Sequence, residues 1–241
     1  AGCCRDARRI YADSGQWLGA ASMSLQLSTI ALRAGRPSEA SRHVADALSG
    51  FESVGAMNSV ALCISQRAAI ARAQGDLESA ETDLREAYGL YEHMGTDAFL
   101  VPLIQLAVVL LERSEYVEAR ELLTAAVGGL ERVGGWASLG ALHILTLPTL
   151  AVAGEWEEFD RLLDDADLLI TNSGLVHDDL PAMARHAGDL ARAAGQPERA
   201  IRAYHLALSQ QHALGDRQQI AITRAALHGA MISAEAAAGA R

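Results

Sequence analysis

The sequence predicts an all-α fold, a right-handed α-solenoid of antiparallel helix pairs, and three observations lead there. The stretch Gly75-Asp76-Leu77-Glu78-Ser79-Ala80, a turn that starts a helix, returns along the chain. Near-copies open at Gly35, Ser114, Gly154 and Gly195, with spacings of 40, 39, 40 and 41. A second series, Gly15, Gly55, Gly95, Gly134, Gly174 and Gly215, runs at 40, 40, 39, 40 and 41, half a repeat out of phase. Turns at a fixed period of this length mark a helical-repeat array. Composition agrees: 50% of residues are hydrophobic but only 5% aromatic, so the core is mainly Ala, Leu, Val and Ile, as closely packed helices need.

The elements follow in order. Residues 1–15 read as the end of a preceding repeat, because Arg5-Asp6-Ala7-Arg8-Arg9-Ile10-Tyr11 parallels the run before Gly95. The chain is therefore expected to be a segment of a longer protein, here a single solenoid over 1–241. Five repeats are expected over 16–55, 56–95, 96–134, 135–174 and 175–215, with a last helix in 216–241. Helix A of the first repeat is placed at Trp17 to Arg33 and helix B at Pro37 to Val54. Pro37 and Pro197 sit in a first helical turn, where a missing N–H costs nothing. Asp76 has the chemistry of an N-cap. The glycines fit the left-handed position that follows a helix end.

The fourth repeat departs from the pattern. Pro148 lies inside its A helix and is expected to kink it. The stretch from Val133 to Gly154 carries no formal charge and is long enough to span a bilayer. Its glycines, His143, Pro148 and its phase with the repeats favour a buried repeat helix, and no membrane partner is expected.

The repeats resemble the tetratricopeptide repeat (TPR), in a lengthened form of about 40 residues, over nearly the whole chain. That family wants a small residue in mid helix A, here Ser28, Ala68, Ala107 and Gly188. It wants alanine at two positions of helix B, here Ala40, Ala80, Ala119 and Ala200, then Ala47, Ala87, Ala126, Ala166 and Ala207. The fourth repeat carries Leu147 and Phe159 at the small positions, so a change of curvature, or a partner filling the irregularity, is expected there. The resemblance implies a TPR-like superhelix whose A helices line a concave groove. Arrays of this type look like the sensor or scaffold arms of large bacterial regulators.

On that implication the groove residues are Gln66 and Arg72 from the second repeat, and Ile104, Gln105, Val108 and Leu111 from the third. The fourth offers Ile144 and Leu145, and the fifth Arg185, His186, Asp189 and Arg192. Gln26, Gln66, Gln105 and His186 share one repeat position, with Leu145 the exception, and form a polar ladder suited to an extended backbone. An apolar floor between cationic shoulders suits a hydrophobic segment carrying acids. The Lys, Asn and Arg clamp by which some family members hold a C-terminal carboxylate is absent. The same apolar positions are equally compatible with core packing, or with a face covered by another domain.

The net charge of −10 repels phosphate backbones, so no nucleic-acid partner is expected. Cys3, Cys4 and Cys63 have neither disulfide nor zinc spacing and suit a reducing cytoplasm. No phosphate loop, zinc-protease, redox or hydrolase motif occurs, so no catalytic residue, cofactor or metal is expected. His177-Asp178-Asp179 precedes Leu180-Pro181 and reads as a turn with a helix N-cap rather than a metal site. The acidic run from Glu155 to Asp167 reads as a solvated helix face.

The leading expectation is a non-enzymatic protein–protein interaction scaffold that binds a peptide or helix in its groove, as part of a signalling or transcription regulator. Val108→Glu or Leu145→Glu would then abolish binding without unfolding. The alternative is a small-molecule-sensing arm of a bacterial ATPase, kinase or transcription regulator, with the ligand at the fourth repeat. Self-association through exposed solenoid ends is the remaining partner expectation.

Overall fold

A computed structural model describes residues 2–95, 97–133 and 136–239. Among them lie twelve α-helices, one 3-10 turn at Asp97–Phe99 and no strand. The helices are α1 (Gly2–Asp13), α2 (Trp17–Arg33), α3 (Pro37–Ser53), α4 (Met57–Ala73), α5 (Leu77–Met94) and α6 (Leu100–Glu112). They continue as α7 (Tyr116–Val133), α8 (Trp136–Ala153), α9 (Trp156–Ser173), α10 (Leu180–Ala193), α11 (Pro197–Leu214) and α12 (Arg217–Gly239). Even-numbered helices are the A helices of the repeats, and odd-numbered ones the B helices. Gly134 and Gly135, where the sequence places a turn, lie outside the described residues.

One hydrogen-bond pattern explains the recurring turn. The residue after the glycine donates its N–H back to a carbonyl in the last helical turn: Arg36 to Ala31 at 2.9 Å, Asp76 to Ala71 at 3.0 Å, Gln196 to Ala191 at 2.9 Å. This wrap satisfies carbonyls that a helix end leaves open, and it requires a left-handed residue between. Gly75 takes that place with φ of 81°. In the third repeat Ser114 does so with φ of 62°, and Glu115 donates to Leu110 at 2.8 Å. Asp76 then caps α5, its Oδ1 accepting from the Ser79 N–H at 3.0 Å.

The chain divides into two compact units, Ala1–Val109 and Leu110–Arg241, with the boundary inside α6. In the first unit, sequential helices α1 to α5 pack pairwise. Ala21, Val44, Phe51, Val60 and Ile64 belong to its core. A Cβ on Gly50 would stand 2.8 Å from that of Ala21, so α3 lies hard against α2. Arg67 of α4 makes a two-pronged pair with Asp83 of α5 at 2.8 and 2.7 Å.

The alanines of the two B-helix columns have no exposed area at all, from Ala40 and Ala47 to Ala200 and Ala207. They sit at the crossings with the A helices, where a larger side chain would push the axes apart.

In the second unit, α8 is helical throughout, with Pro148 inside it. The proline therefore does not end the helix; it removes the donor that would reach the Ile144 carbonyl. Beside it, Thr146 Oγ1 donates to the Leu142 carbonyl at 2.8 Å and Thr149 Oγ1 to that of Thr146 at 2.7 Å. Leu147 and Phe159, the two large residues at small positions, are both fully buried. Gly140 lets α9 close in, since a Cβ there would meet Leu169 Cβ at 2.9 Å.

The irregularity shows in how α10 packs. It lies along α8, with little against α9, whereas α4 lies mainly on α3. Buried small residues, Ala184, Ala187, Gly188 and Ala191, let α10 approach its neighbours closely. Asp179 holds the N-cap position of α10 without a side-chain cap bond, and Pro181 follows in the first turn. The uncharged stretch is α8 itself. No helix among the described residues is long and apolar enough to cross a membrane.

Candidate functional site

In the first unit the three glutamines of the expected ladder stand on α2, α4 and α6. Gln26 is exposed, and Gln66 and Gln105 are half-buried. Thr29 Oγ1, one turn beyond Gln26 on α2, reaches Gln66 Oε1 on α4 at 3.5 Å. Gln66 Nε2 and Gln105 Oε1 are buried atoms without a hydrogen-bond partner. An unpaired buried amide group costs about 1–3 kcal/mol. Arg72 and Ile104 are half-buried.

The apolar members of the expected groove are not a floor. Val108 is 3% exposed, Leu111 1%, Ile144 fully buried and Leu145 3%. They pack as core, because A helices in this array bury two faces, one on their own B helix and one on the neighbouring repeat. Val108→Glu or Leu145→Glu would bury an unpaired carboxylate and disrupt folding, so neither variant reports on binding.

In the second unit the fifth-repeat residues form a connected set. Arg185, His186 and Asp189 are half-buried and Arg192 is exposed. Tyr204 of α11 packs its ring over Gly188, where a Cβ would come within 2.6 Å, and its hydroxyl donates to Asp189 Oδ1 at 2.7 Å. Burial, with the Asp189 carboxylate, pushes the Tyr204 phenol up to about 12, while the neighbouring Arg192 opposes this. His186 Nε2 lies 3.0 Å from the Tyr116 hydroxyl, and the two rings stack at 6.0 Å. Burial lowers the His186 pKa, Asp189 opposing and Arg185 assisting. Asp189 and His186 thus fix α10 in place, and the arginines carry the accessible charge.

Sequence reasoning missed His143. It is 9% exposed, and its Nδ1 has no hydrogen-bond partner. Burial lowers its pKa, Asp165 and Glu158 opposing and Arg161 assisting. The signal was present: the residue nine places after each glycine of the second series is Ser24, Ile64, Ile104, His143, Met183 and Arg224. Among the five full repeats, the fourth alone has a titratable group in that column. His143 lines a cavity of about 350 Å³ between α7, α8 and α9.

Cys63 is buried, and burial, with Glu52 nearby, pushes its thiol up to about 11. Such a thiol is inert.

No protein-family model and no curated protein matches the chain. Solved structures do. BtubC from P. vanneervenii is similar with a TM-score of 0.66 and 16% identity, over 88% of each chain. The signal transduction ATPase with numerous domains from Pyrococcus horikoshii, which has a tetratricopeptide repeat sensor, matches with a TM-score of 0.66 and 12% identity. That match covers 93% of this chain and 36% of the other. A Rap protein complexed with Competence and Sporulation Factor matches at 0.56 and 12% identity, over 96% and 65%. At such identities the likeness is one of fold: the chain is an array of TPR-like helix pairs.

Proposed function

We propose that the chain is a non-catalytic interaction module of a larger regulator, which holds an extended protein segment along the ladder of its A helices. One observation carries this reading. Thr29, one turn beyond Gln26 on α2, comes within bonding reach of Gln66 on α4, while Gln66 Nε2 and Gln105 Oε1 have no partner. Both atoms are buried, and a side-chain rotation that brings them to the surface would present a donor and an acceptor, the complements of the carbonyl and N–H of a peptide backbone. The segment expected is one that mixes apolar residues with acids. The half-buried Ile104 offers apolar area to such a segment, at roughly 25 cal/mol per Å², less the cost of ordering the segment. Among chains of similar fold, one is complexed with Competence and Sporulation Factor and another has its repeats named a sensor, which supports a binding role.

Panning a random displayed-peptide library on the full chain tests the reading. Enrichment of a consensus with apolar and acidic positions is expected. A library that stays random after panning would refute it.

A second reading, a small-molecule-sensing arm, is favoured by the cavity at His143 in the irregular fourth repeat.

A further inference from the structure

The cavity at His143 has the chemistry to choose among ligands. α8 supplies His143 and Thr146, α7 supplies Thr124 and Glu131, and α9 supplies Glu158 and Asp165. The two guanidinium groups of its wall are already engaged. Arg120 holds both oxygens of Glu155 at 2.6 Å. Arg161 pairs with Glu158 and, at 3.6 Å, with Asp165. Glu131 makes no ion pair or hydrogen bond among the described residues. An anion entering here would meet that free carboxylate and no free cation. A bound metal ion is disfavoured too, since no three His, Cys, Asp or Glu side chains among the described residues gather to hold one.

A hydrogen-bond donor is what the site lacks. His143 is buried at a position where Ile64 and Met183 stand in other repeats; its Nδ1 is closed off without a partner, and its Nε2 makes no hydrogen bond among the described residues. A neutral imidazole nitrogen accepts from an N–H, and Glu131 favours a positive charge on the same ligand. The volume, about 350 Å³, lies at the low end for ligand sites and suits a short molecule.

We propose that this cavity binds a small organic cation with a primary ammonium group, whose N–H donors are shared between the Glu131 carboxylate and the His143 ring. The inference rests on the sensing-arm reading and is independent of the peptide ladder. A short diamine satisfies it chemically: one ammonium enters toward His143 and Glu131, and the other stays in solvent at the rim, where Glu158 and Asp165 are already paired with Arg161.

Isothermal titration of the full chain with 1,4-diaminobutane, and separately with butyrate, provides the test. Saturable binding of the diamine is expected, with none of butyrate. Glu131→Gln should weaken it at least tenfold while leaving the thermal unfolding midpoint unchanged. His143→Leu, which restores the apolar residue of other repeats, should do the same. If that variant fails to fold, Glu131→Gln alone decides. The absence of saturable diamine binding overturns the proposal, as does a Glu131→Gln variant that binds as tightly as wild type. Saturable binding of butyrate in place of the diamine overturns the cationic class while keeping a small-molecule site in the fourth repeat.

Discussion

Ser114 holds a backbone conformation that glycine holds at every other described turn of both series, with φ of 62°. A side chain at this left-handed position costs roughly 1–2 kcal/mol relative to the right-handed form. Ser114→Gly should therefore stabilise the chain, by up to about 1 kcal/mol once the greater freedom of unfolded glycine is counted. A rise in the urea midpoint at constant slope would show it. His143 makes a second residue-scale prediction. Its ring is held neutral by burial, so its folded pKa lies below the ordinary 6.5. The unfolded chain then takes up the proton first. Stability from this group is complete above about pH 7 and falls as pH drops through 6.5 toward the folded pKa. His186 adds the same sign. Unfolding midpoints measured from pH 8 to 5 should decline, and His143→Leu should flatten that decline. These two residues also show what the sequence could reveal. Ser114 was legible because it broke a glycine column. His143 follows Ile64 and Ile104 in its column and passed unread, because a lone histidine signals little until burial and an orphaned nitrogen are known.

At the scale of elements, the helices of the first repeat were legible almost to the residue: α2 has the bounds the sequence suggests, and α3 ends one residue sooner. Periodic glycines and Pro37 announce a turn through local backbone chemistry, which sequence carries directly. Which side chains stay accessible was not legible. A helix between two neighbours buries two faces, so Val108 and Leu145, apolar on an expected groove face, are core. The packing of α10 along α8 was foreshadowed only as an irregularity, since it depends on how Gly188 receives Tyr204 from another helix. Contacts between B helices were likewise hidden in an acidic run read as a solvated face. Asp160 of α9 binds Arg199 at 2.8 Å and Arg202 at 2.8 Å, both on α11, and Arg199 lies over the Trp156 ring at 5.6 Å. Partly exposed pairs contribute roughly 0–1 kcal/mol each. Asp160→Asn should cost about 1 kcal/mol in low salt, and that difference from wild type should shrink in 1 M salt. A difference independent of salt would assign the aspartate a packing role.

For the whole molecule, repetition explains why fold was readable and function was not. Each helix pair repeats the same crossing with alanine at its centre, so the pattern is written five times and noise averages out. A binding surface is written once, in whichever positions the crossings leave free. The central claim is that these positions include the amides of Gln66 and Gln105. The most direct test is the affinity of a library-selected peptide for wild type and for Gln66→Ala/Gln105→Ala, with thermal unfolding as the control. The account predicts at least a tenfold loss of affinity at a retained or raised unfolding midpoint, because both amides carry an unpaired buried atom. Equal affinity in the two proteins would contradict it and place the binding surface elsewhere.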